Sequence, residues 1–106
     1  MSGPRAFGVR SVVIAYLKEP RERFWGVVRS LDVTGLVVEG IDLDSFDDWL
    51  RGMTSGEEGL SASTVFFPLP RIEKVLVDAP NGSIPSLAER FERRVGRSLL
   101  DYLDGS

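Results

Sequence analysis

Hydrophobic and polar positions along "VRSVVIAYLK", Val9 to Lys18, leave neither side of an extended chain polar. Val12, Ile14 and Tyr16 take one side, and Val13, Ala15 and Leu17 take the other. A β-rich segment that is apolar on both faces is a strand covered on both faces. "EPRE" then reads as a turn, with Pro20 suited to its second position. A second strand runs from Arg23 to Leu31, "DVTG" (Asp32 to Gly35) is a hairpin turn, and a third strand runs from Leu36 to Leu43. The period changes in "DSFDDWLRG". Phe46, Trp49 and Leu50 fall on one helical face, Ser45 and Asp48 have capping-box spacing, and Gly52 is a stop signal. Met53 to Ser63 is a polar, glycine-bearing loop. Thr64–Leu69 and Ile72–Asp78 are apolar fourth and fifth strands, which Pro68 and Pro70 restrict to edge positions. After a linker at 79–85, residues 86–104 read as an amphipathic helix. Ser86 and Glu89 form its capping box, and Leu87, Phe91 and Val95 form its apolar stripe. Gly96 is a breaker and Ser98 a cap for a final turn.

Gly26 and Gly40 lie inside strands, where a residue normally gains packing. Glycine there marks a sharp bend or a close backbone approach. Five short strands with such bends predict a small, closed or nearly closed SH3-like barrel, with a short helix between the third and fourth strands and an amphipathic helix at the end.

Composition narrows the chemistry. The 106 residues fit one domain spanning 1–106; 42% are hydrophobic and 27% charged. The absence of cysteine and histidine removes disulfides, thiolate chemistry and the commonest general base and metal ligand. Serine and threonine have no histidine partner, and "GEEG" lacks the spacing and lysine of a phosphate-binding loop. A non-enzymatic protein without a cofactor is expected. The opening "MSGPRAFGVRS" has no apolar core of the signal-peptide kind, and no apolar run is long enough to span a bilayer. A cytoplasmic protein with no membrane partner is therefore the expectation. "DLDSFDD" brings Asp42, Asp44, Asp47 and Asp48 together, but Phe46 and Asp47 stand where a calcium loop needs a ligand and a glycine. Helix capping explains these acids, and no metal is expected.

Charge is unevenly distributed. Residues 1–30 hold six basic and two acidic side chains, and residues 31–63 hold one basic and eight acidic. Arg90, Arg93, Arg94 and Arg97 follow i, i+3, i+4, i+7 spacing and share one helix face. Such a stripe can track phosphates or can simply be a solvated face. Trp25, beside the bend at Gly26, is either core or a platform on which a base could stack.

"FWGVVRSLDVTGLVVEGI" resembles the first conserved block of the Sm and Hfq-like small β-barrel family. There an apolar strand with a central glycine enters an aspartate-led turn and a second apolar strand. "TVFFPLPRIEKVLVD" resembles the second block in placement, so the resemblance covers residues 9–78. It implies an Sm-like barrel over those residues. It also implies a homo-oligomer in which the fourth strand of one subunit pairs with the fifth of the next, through Val65, Phe66, Phe67, Val75, Leu76 and Val77. The family's arginine-glycine pair is absent: Phe67-Pro68-Leu69-Pro70-Arg71 stands in its place, with no histidine. Only Asp32 and Arg71 carry across as RNA contacts, and the long helix comes last. Two readings follow: an assembly module that meets another protein, or an RNA-binding module that uses Trp25, Asp32, Arg71 and the arginine stripe.

Overall fold

The structure, a computed structural model, describes residues 7–55 and 61–105. Five strands form one antiparallel sheet: β1 (Val12–Leu17), β2 (Glu22–Asp32), β3 (Gly35–Asp42), β4 (Ser63–Pro68) and β5 (Ile72–Val77). Their order across the sheet is β4-β3-β2-β1-β5. A 3-10 turn (Leu43–Ser45) leads from β3 into helix α1 (Phe46–Ser55), and a second (Leu69–Arg71) joins β4 to β5. Two helices close the chain, α2 (Leu87–Val95) and α3 (Leu99–Leu103).

The double-sided strand pattern becomes two cores. The inner face of the sheet buries Val13, Ala15, Leu17, Phe24, Val28, Leu36, Val38 and Phe67. Val65 of β4 and Ile72 and Val75 of β5 pack against that same cluster, so the sheet curls until its two end strands share one core. The outer face buries Trp25, Val27 and Ile41 beneath Phe46, Trp49 and Leu50 of α1, Phe91 of α2 and Leu99 of α3. The close backbone approach lies where β2 meets β3. Gly26 is the direct partner of Gly40, and a Cβ on either would lie 2.3 Å or less from a carbonyl oxygen of the opposite strand.

Of the closed or nearly closed barrel expected from sequence, the structure shows the five-stranded antiparallel sheet, and that sheet is open: β4 and β5 occupy its opposite ends and no ladder joins them among the described residues. Residues 86–104, read as an amphipathic helix with Gly96 as a breaker and Ser98 as the cap of a final turn, form two helices divided at those residues. Gly96 adopts a left-handed φ of 84° and ends α2, and Ser98 caps α3 by accepting from the Asp101 N–H. Gly52 does not stop α1, which runs on to Ser55. Part of the loop read at 53–63, residues 56–60, lies outside the described residues. The Ser86–Glu89 capping box is formed in both directions, 3.0 and 2.8 Å. Phe91 is fully buried, with Leu87 and Val95 packed on the same core. Among the described residues no helix is long and apolar enough to cross a membrane.

Candidate functional site

Among the described residues the two ends of the sheet carry unpaired ladder groups, and the phase of each ladder shows which ones. In an antiparallel pair, alternate residues direct N–H and C=O toward the neighbouring strand. The Leu69 N–H donates to the Thr34 carbonyl at 3.0 Å, so with this register Phe67 and Val65 bond to β3 while Thr64, Phe66 and Pro68 face outward. Pro68 has no N–H and offers a carbonyl alone. On the other edge the Asp78 N–H donates to the Val12 carbonyl at 2.9 Å, which leaves the backbones of Val75 and Val77 facing outward. Apolar side chains accompany both edges: Phe66 is 52% exposed, Leu76 44% and Val77 52%. Of the six interface residues suggested by resemblance, Phe67 is buried, and Val65 and Val75 are half-buried in the inner core. The uncovered surface therefore reduces to Phe66, Leu76 and Val77.

The residues proposed as RNA contacts are scattered. Trp25 is fully buried, packed edge-on against Phe46 and Trp49, and its indole N–H donates to Asp78 at 3.1 Å. It has no free ring face on which a base could stack. The Asp32 carboxylate is committed to its own turn, accepting from the Thr34 hydroxyl at 2.6 Å and the Thr34 N–H at 2.8 Å. Those two bonds, the hydroxyl first, hold its pKa below the ordinary value. Arg71 is a clamp. It donates to the carbonyls of Lys18 (2.9 Å) and Pro20 (2.8 Å) and to Glu22 (2.7 Å), tying β5 to the β1–β2 turn.

The arginine stripe is only partly available. Arg90 is paired with Asp47 at 2.8 Å and lies over the Phe46 ring. Arg94 reaches the Thr54 hydroxyl at 3.4 Å, and Arg97 donates to the Asp101 carbonyl oxygen at 2.9 Å. Arg93 is exposed with no partner among the described residues. The four aspartates of "DLDSFDD" are likewise engaged. Asp42 caps the 3-10 turn at the Asp44 N–H, Asp44 pairs with Arg23, Asp47 with Arg90 and Asp48 with Arg51. Among the described residues no group of three acids is placed to hold a metal ion.

Sequence reasoning missed Asp78, which accepts from Trp25, Leu87 and Ala88 together, and the row of Arg23, Tyr16 and Lys74 on the outer face of the sheet. Only strand register brings these residues together. Comparison with known family models, with characterised proteins and with solved structures finds no match for this chain.

Proposed function

We propose that the chain is a non-enzymatic, Sm-like small β-barrel module that self-associates through its two edge strands and presents the assembled surface to a protein partner. The observation that supports this is the pair of uncovered edges. Each combines outward N–H and C=O groups with exposed apolar side chains, Phe66 on β4 and Leu76 and Val77 on β5. Such edges invite pairing. Pairing β4 of one copy with β5 of the next covers both apolar sets at once, whereas β4 on β4 or β5 on β5 leaves one set in water. A head-to-tail contact closes into a ring only when the rotation per subunit allows it. The lack of an N–H on Pro68 shortens the β4 ladder to Thr64 and Phe66 plus one carbonyl.

Light scattering at micromolar concentration is the first test. A monomer mass that does not rise on concentrating the sample would remove the assembly reading. Complementation then separates the geometries. Phe66→Glu disables the β4 edge and Val77→Glu the β5 edge, so each alone should be monomeric. Mixed, the two should form one heterodimer through their intact edges, and a mixture that stays monomeric would rule out head-to-tail pairing.

A second reading makes RNA the partner, because Arg93 is exposed and has no carboxylate partner among the described residues. Binding of a mixed RNA pool should then weaken steeply with salt. Replacing Arg90, Arg93, Arg94 and Arg97 by glutamine should flatten that slope. An unchanged slope would place the contact elsewhere.

A further inference from the structure

Three side chains stand in a row across the outer face of the sheet. Tyr16 of β1 is the direct register partner of Arg23 on β2 and of Lys74 on β5. Directly opposed residues put their side chains on one face, with Cβ atoms about 5 Å apart. Lys74 Nζ lies 4.8 Å from the centre of the Tyr16 ring. The row lines a cleft of about 410 Å³ that Arg21, Glu22, Asp44 and Glu73 also border. Arg71 fixes the turn carrying Arg21 by holding the carbonyls of Lys18 and Pro20, so the cleft is preorganised.

The charges around this cleft are unevenly engaged. Glu22 is held by Arg71 at 2.7 Å, which removes one acid from the balance. Asp44 pairs with Arg23 at 3.0 Å, with both side chains well exposed, and such pairs contribute little. Arg21 and Lys74 have no carboxylate partner among the described residues. Three cations therefore face Asp44 and Glu73, an excess of one positive charge, with a phenol hydroxyl among them. A tetrahedral anion can engage several separated donors at once, whereas a planar carboxylate is best satisfied by a single guanidinium.

We propose that this cleft binds a phosphoryl group, with Arg21, Arg23 and Lys74 supplying positive charge and the Tyr16 hydroxyl a hydrogen bond. In the unliganded state Asp44 occupies Arg23, and a phosphoryl oxygen replaces it. The site requires no self-association.

Amide NMR titrations at fixed ionic strength test this with three probes: inorganic phosphate, uridine monophosphate and hexauridylate. The expected result is a saturable shift confined to the neighbourhoods of Tyr16, Arg21, Arg23 and Lys74. Saturation by phosphate and the mononucleotide identifies a small phosphate ester; saturation by the oligonucleotide alone identifies a nucleic-acid backbone. Lys74→Met and Arg21→Gln, both at exposed positions, should each weaken binding by roughly tenfold with the spectrum otherwise retained. Asp44→Asn should tighten it by releasing Arg23. No saturable shift with any probe, or shifts indifferent to both weakening variants, would overturn the proposal.

Discussion

Gly26 and Gly40 stand opposite each other where β2 and β3 approach closely, and neither has room for a methyl group. A Cβ at Gly40 would lie 2.0 Å from the Trp25 carbonyl oxygen, and one at Gly26 would lie 2.3 Å from that of Glu39. Backbone atoms at the centre of a sheet cannot move aside, so Gly26→Ala should cost more than about 3 kcal/mol or prevent folding, as read by urea denaturation. A parent-like midpoint would mean that the strands do not approach so closely. Asp78 is the polar counterpart. It accepts from the Trp25 indole at 3.1 Å and from the Leu87 and Ala88 N–H groups at 3.0 and 2.8 Å, linking the outer core to the start of α2. Asp78→Ala strands these donors and should cost on the order of 3 kcal/mol, with a change in tryptophan emission. At Asp32 the effect is one of pH. Its carboxylate pKa is lowered from 3.8 in the folded state, chiefly by the Thr34 hydroxyl. The unfolded chain therefore takes up the proton first on acidification, and the contribution is present above pH 3.8 and is lost as pH falls through the lowered folded value. Thr34→Val should thus destabilise near neutral pH, and its melting temperature should converge on the parent's below that point; a constant gap would place the effect elsewhere in the turn.

Helix α2 is legible because its signals are local. The capping box, the four-residue apolar stripe and the glycine stop all lie within one or two turns of the residues they govern. Phe91 stacks on Trp49 with ring centres 5.2 Å apart and the planes inclined by 17°. Phe91→Ala should cost about 3–5 kcal/mol in urea unfolding, and an unchanged midpoint would mean that the helix is not docked. The strands were legible in number and rough extent for the same reason, since alternation and turn residues are short-range. What the sequence hid is register. Arg71 follows two prolines at the head of an apolar strand, and nothing nearby announces that its guanidinium closes a turn 51 to 53 residues earlier in the chain. Tyr16, one of the apolar positions of β1, and the cations Arg23 and Lys74 look unrelated until β1 is set between β2 and β5. Trp25 was open to two readings because its strand is apolar on both faces, and only the placement of α1 and α2 decides that its ring is covered.

For the whole molecule, the lengthwise charge asymmetry does not survive folding as two oppositely charged ends. Arg23 and Arg29 of the basic first segment pair with Asp44 and Glu39 of the acidic second, and Arg90 of α2 pairs with Asp47. Arg29 also takes Asp104 at 2.8 Å, joining the end of the chain to the sheet. Burial, the largest single influence on Arg29, lowers its pKa, but the bonds and charges of Asp104 and Glu39 together outweigh it and leave the pKa raised. These pairs are made inside one copy, so the side chains they hold do not drive copies together electrostatically. The edges point the same way: Thr64 to Pro70 contains no ionisable residue, and neither does Val75 to Val77. Self-association should therefore come from apolar burial and ladder bonds, which salt screens weakly, and should persist when ionic strength rises well beyond physiological levels. Light scattering across a salt series makes the distinction. An assembly that holds or strengthens with salt identifies the edge strands as the contact. One that falls apart would mean that charged faces carry it, with Arg93, which has no partner among the described residues, the first residue to reverse.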